Sequence, residues 1–178
     1  MTTGERALKP CCARGRVGLV TIVPITLWRG AMQTDVRPVG ADLYFLPVET
    51  RVPLKFGPET LTSVICARAC LTVENGDGER AEGWGETPLS VQWTWPSGIS
   101  YQERCDAMQD FCRRLAEAWA GFGKAGHPME VGHEFIESAL RGLLDDFNRR
   151  RGGESVPWLA ALVCCSAFDI ALHDAYGQ

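Results

Sequence analysis

Apolar and polar positions alternate between residues 61 and 74. Ile65, Ala67, Ala69, Leu71 and Val73 share one face, and Arg68, Thr72 and Glu74 share the other. A period of two marks a strand buried on one side. Asn75-Gly76-Asp77-Gly78 follows, and these residue types supply the backbone freedom of a tight hairpin turn. The pattern predicts a return strand over residues 80–86. Upstream, Ala41 to Val48 has strand composition, with Pro47 at an edge or an end, and residues 49–59 are expected to form a loop.

Beyond residue 100 the period lengthens. Tyr101, Cys105, Met108, Cys112, Leu115 and Trp119 lie four and three apart, so they form one stripe of a helix that ends at the linker Gly121 to Pro128. Ile136, Leu140, Leu143, Leu144 and Phe147 form a second stripe, with Arg149, Arg150 and Arg151 at the end that a helix dipole favours for cations. Gly152-Gly153 ends it. The last stretch, Pro157 to Tyr176, is apolar nearly all round apart from Ser166, Asp169 and His173 on a narrow stripe with Asp174 beside them. Ser155 is the expected N-cap and Gly177 the expected left-handed stop. A helix of this kind must be covered on most sides. The fold class expected is α+β, a three-stranded antiparallel meander followed by a bundle of about three helices.

Charge and composition narrow the function classes. Residues 1–31 hold five Lys or Arg against one Glu, which leaves 13 basic and 21 acidic residues, a net −8, for the rest of the 178-residue chain. An acidic folded part argues against a nucleic-acid surface. The closing helix contains two Asp and one His, which argues against a membrane span. The apolar run Val17 to Trp28 has the length of a signal-peptide core, but Arg29 stands where a cleavage site after Ala31 needs a small residue. Residues 1–40 are therefore expected to be a disordered leader, with Met32 a candidate true start and residues 41–178 the folded domain. Of the eight cysteines, Cys66 and Cys70 lie about 13 Å apart in a strand and Cys105 and Cys112 about 10 Å apart on a helix, beyond disulfide reach. Reduced thiols and a cytoplasmic location follow.

Candidate chemistry is sparse. His127, His133 and His173 have no evident partner set, Asp169 and Asp174 are five apart on a helix, and no serine sits in a G-x-S-x-G setting. Gly83-Trp84-Gly85-Glu86 lacks the third glycine and the following helix of a phosphate loop, and it suits a strand end.

That strand ending, together with Ser166-Ala167-Phe168-Asp169-Ile170-Ala171-Leu172-His173-Asp174-Ala175-Tyr176-Gly177, resembles the N-terminal capping domain of the mandelate racemase/muconate lactonizing group of the enolase superfamily. The resemblance covers residues 41–177, with His173 where an aromatic is usual and Gln178 where Lys is usual. It implies an enzyme that removes a proton α to a carboxylate, as a dehydratase or racemase of a substrate such as an acid sugar, using a Lys or His base and one or two Mg²⁺. It places base and metal ligands on a (β/α) barrel that would follow this chain or be separately encoded, so the chain alone is expected to be inactive, with no catalytic or metal residue of its own. It also implies a homo-oligomer when complete. Two loops would overhang the barrel mouth: residues 49–59, with Lys55, Phe56 and Gly57, and residues 87–98, with Thr87, Trp93 and Trp95. Two apart in an extended segment, Trp93 and Trp95 would form one apolar wall. The alternative is a free-standing binding module that uses Trp93 and Trp95 as a stacking surface.

Overall fold

The computed structural model describes residues 34–56 and 59–178. The expected leader up to residue 33, the candidate start at Met32, Cys11, Cys12 and Gly57-Pro58 lie outside the described residues.

Three strands form one antiparallel sheet in the order β1 (Val36–Phe56), β2 (Glu59–Asn75) and β3 (Arg80–Pro88). The alternation along β2 is realised: Ala67, Ala69, Leu71 and Val73 are buried against the helices, while Arg68 on the opposite face bonds Glu86 of β3 at 2.7 Å. Asn75 shapes the turn into β3, its side-chain oxygen accepting the backbone N–H groups of Asp77 (3.0 Å) and Glu79 (2.9 Å). Only Gly78 of that turn uses positive φ.

β1 departs from expectation at both ends. It begins at Val36, five residues inside the expected leader, because Val36 is buried and exchanges both backbone hydrogen bonds with Gly126 of the helix linker. At its far end the expected loop 49–59 is mostly sheet. There the ladder breaks between Glu49 and Leu54, where Pro53 has no N–H to give, and resumes as Leu54, Lys55 and Phe56 pair with Leu61, Thr60 and Glu59.

The helical layer begins with a single turn, α1 (Val91–Thr94), and α2 (Tyr101–Ala120), whose first turn is capped by Ser100 accepting from the Glu103 N–H. The predicted α2 stripe is buried from Cys105 to Trp119. Next, α3 (Pro128–Glu134), a π-helical segment (Phe135–Leu140) and α4 (Arg141–Arg151) run on as one rod. The π turn brings Phe135 flat onto Trp119, ring centres 4.0 Å apart. Gly152 and Gly153, both at φ +70°, break the rod.

The closing helix α5 (Trp158–Tyr176) lies across the sheet. Its N-cap is Pro157 and not Ser155, since Asn148 already holds the approach by bonding both the N–H and the carbonyl of Val156. Gly177 stays right-handed at φ −78°, with its N–H bonded to the His173 and Asp174 carbonyls, so the expected left-handed stop is not used. By length and apolarity α5 is the one described helix that could cross a membrane, yet half of its apolar window is buried within the fold. It is the core helix.

Candidate functional site

Strand order brings both candidate loops to one end of the sheet. The β1–β2 tip carries Lys55, exposed and paired with Thr60. The second loop leaves β3 after Pro88, where the Leu89 N–H donates to the Ile65 carbonyl at 2.8 Å. Ile65 and Thr60 are five residues apart on β2, so the tip overhangs the loop by about 17 Å.

Thr87 anchors the loop. Its hydroxyl lies 2.7 Å from that of Ser166 on α5, and because Ser166 already donates to the Val163 carbonyl (2.8 Å), Thr87 is the donor between them.

The expected apolar wall of Trp93 and Trp95 does not form. Residues 91–94 make a helical turn, closed by the Trp95 N–H on the Val91 carbonyl (3.0 Å) and the Thr94 hydroxyl on the Ser90 carbonyl (2.9 Å). At about 100° per residue, positions two apart in a helical turn face nearly opposite ways. Trp93 is 47% exposed and Trp95 only 2%. Trp95 therefore belongs to the core edge, and a stacking surface built from both indoles is ruled out.

Trp95 is held from three elements. Its indole N–H donates to one carboxylate oxygen of Glu154 (2.8 Å), while the Ser97 hydroxyl donates to the other (2.7 Å). Arg104 of α2 donates to the Trp95 carbonyl at 2.6 Å, and the Arg151 guanidinium of α4 lies 5.6 Å over the indole. The Ser97 and Trp95 hydrogen bonds hold the Glu154 carboxyl below the ordinary carboxylate range. Nothing in the sequence near residue 95 signals a partner in the α4–α5 linker.

Gly83 and Gly85 have a reason beyond ending a strand. A Cβ on Gly83 would lie 2.0 Å from the Ala175 backbone nitrogen, and one on Gly85 would lie 2.0 Å from the Ala167 carbonyl oxygen. β3 thus rests directly on the α5 backbone, opposite Ala167, Ala171 and Ala175. Between the two glycines the Trp84 N–H donates to the Asp174 carboxylate at 2.8 Å. Asp174, read from the sequence as hydrogen-bonding against a neighbouring layer, is a strand-to-helix tie.

The remaining titratable groups stay apart. His127 caps α3, its Nδ1 accepting from the Met129 N–H (3.3 Å), while His133 and His173 are exposed. The six described cysteines are free and buried, and burial pushes the thiols of Cys70 and Cys165 up to about 11 and about 12. Among the described residues no three His, Cys, Asp or Glu side chains come together as metal ligands, so Mg²⁺ does not fit these donors. A groove of about 920 Å³ between α2 and α4 has an apolar floor of Ala107, Leu143 and Phe147 and a rim of acids and arginines of mixed sign.

No protein-family profile and no curated protein matches this sequence. Solved structures similar to it are enolase-superfamily enzymes of the mandelate racemase/muconate lactonizing type. One is an enolase from Bradyrhizobium complexed with magnesium and mandelic acid (16% identity, TM-score 0.46, 83% of this chain and 33% of that one). Another is the L-Ala-D/L-Glu epimerase from Bacillus subtilis (18%, 0.46, 80% and 31%). A third is the L-talarate/galactarate dehydratase from Salmonella typhimurium LT2 (18%, 0.44, 87% and 33%). The chain spans about a third of the length of these structures.

Proposed function

We propose that this chain is the capping domain of an enolase-superfamily enzyme of the mandelate racemase/muconate lactonizing type. In this role it closes the mouth of a (β/α) barrel over a carboxylate substrate such as an acid sugar. The observation that carries the reading is the common exit of the β1–β2 tip and the β3–α1 loop at one end of the sheet. One loop offers a cation, Lys55, and the other an exposed indole, Trp93. A Lys ammonium suits a substrate carboxylate or hydroxyls, and an indole face excludes water from the mouth.

The outward stripe of α5 supports a docking face for the barrel. Leu159, Val163, Ile170 and His173 lie along one side of α5, and Leu159 and Ile170 are 42% and 47% exposed. Exposed apolar side chains in one row suit burial against another layer. The chemistry itself, a dehydration or racemisation begun by Mg²⁺-assisted α-proton abstraction, belongs to groups outside the described residues. The isolated chain is expected to be inactive. Free, buried thiols support a cytoplasmic location, and the complete enzyme is expected to be a homo-oligomer.

The coding sequence downstream tests this reading. It should continue into a Lys-x-Lys strand with Asp and Glu at successive strand ends, or a separately encoded barrel protein should co-purify with the chain. An unrelated downstream gene and no barrel partner would contradict it.

A further inference from the structure

We propose that Glu154, on the linker between α4 and α5, is a positioning residue that fixes where Trp93 stands. This rests on the reading that Trp93 lines the substrate mouth, and it adds that the second loop is a preset wall and not a mobile flap.

The argument begins with how tightly the chain around Trp93 is held. On its N-terminal side Leu89 is bonded to β2, and the turn 91–94 is closed by the bonds of Thr94 and Trp95 to Ser90 and Val91. On its C-terminal side Trp95 and Ser97 each donate to a separate oxygen of the Glu154 carboxylate. One side chain thus binds two alternate positions of the loop. Ser97 also accepts the Ile99 N–H at 3.1 Å, which carries the constraint to the start of α2.

Glu154 is itself held. Arg151 donates to the Glu154 carbonyl at 2.7 Å and reaches Glu103 of α2 at 3.2 Å. The paired positive-φ glycines, Gly152 and Gly153, reverse the linker, a conformation that other residues adopt only with strain. The linker's backbone shape, its arginine staple and its carboxylate all converge on one indole N–H. A loop ordered before its ligand arrives loses less conformational freedom on binding, so its geometry can select among substrates. The β1–β2 tip has no comparable clasp among the described residues.

The chain labelled with 5-fluorotryptophan gives one ¹⁹F line per indole, each assignable by a Trp→Phe variant. In Glu154→Ala the Trp95 line should move and the Trp93 line should shift and narrow towards a solvent-averaged value. The lines of Trp119 and Trp158 should stay in place, although a general loss of structure would move them. Amides of residues 93–95 and 97–99 should exchange with deuterium on the order of tenfold faster. Glu154→Gln, whose amide oxygen still accepts the indole N–H, should return Trp93 most of the way to its original line. An unchanged Trp93 line in Glu154→Ala overturns the proposal. If that variant fails to fold, Ser97→Ala removes one of the two bonds and must move the Trp93 line in the same direction, and no movement is equally fatal. All lines are read without substrate, so a failed clasp leaves the capping-domain reading intact, and a failed reading leaves the clasp intact.

Discussion

Gly85→Ala probes the contact on which the domain depends. The added methyl would sit 2.0 Å from the Ala167 carbonyl oxygen, 2.7 Å from the Ala171 nitrogen and 2.9 Å from the Ile170 Cβ. Carbon contacts are comfortable at about 3.5 Å, so α5 must retreat by roughly 1–1.5 Å. Two of the three obstacles are helix backbone and cannot rotate aside. Forced overpacking costs about 1–3 kcal/mol. The retreat also stretches the Trp84–Asp174 and Thr87–Ser166 hydrogen bonds, at about 1 kcal/mol each. The sum is roughly 3–5 kcal/mol. For a chain of this size that lowers the melting temperature by roughly 6–20 °C. Urea and thermal unfolding followed by circular dichroism measure it, with Gly142→Ala as the control. Gly142 lies in α4 with nothing within 4 Å of an added Cβ, so alanine there should stabilise by up to about 1 kcal/mol. A Gly85→Ala protein melting within about 2 °C of the parent would refute the close-packed strand and helix.

Two further outcomes follow from the charges and thiols. Glu74 is held below its ordinary range first by its bond to Arg37 (2.7 Å), against the opposing effect of burial, and then by Arg80 (3.0 Å). A depressed carboxyl contributes stability that is present above its unfolded value, about 4.3, and lost as pH falls through the folded value. Unfolding free energies should therefore decline below about pH 4.3 as this group takes up its proton, and Glu74→Gln should flatten that decline. Equal slopes in both proteins would count against it. Ellman's reagent at pH 8 should leave Cys66, Cys70, Cys105, Cys112, Cys164 and Cys165 unmodified in the folded chain and label them in urea, because all six are buried. Mass-spectrometric detection of fast labelling at any of the six would show a looser core.

What the sequence made legible was what local periodicity encodes. β2 and the stripe of α2 could be read because a single face of each is buried, and the Asn75–Gly78 turn could be read from its residue types. The ends of β1 could not. Val36 is ordered by a partner 90 residues away, Gly126, and Pro53 disguises a bulge as a loop. Trp95 looked like a neighbour of Trp93 because a four-residue turn is too short to show a helical period, and its anchor, Glu154, lies 59 residues on. Gly83 and Gly85 were visible as a motif, but their cause, a helix backbone laid on the strand, exists only in three dimensions. Lys55 and Trp93 remain the candidates that stand exposed at the same end of the sheet.

The most direct test of the capping-domain account uses the chain together with whatever barrel its coding region supplies, incubated in D₂O with Mg²⁺ and a panel of acid sugars. Deuterium should enter α to the carboxylate of one or a few of them. Trp93→Ala and Lys55→Ala should raise KM or change which sugar is preferred while leaving Mg²⁺ affinity unaltered. No exchange on any carboxylate, or unchanged kinetics in both variants across the panel, would contradict the account.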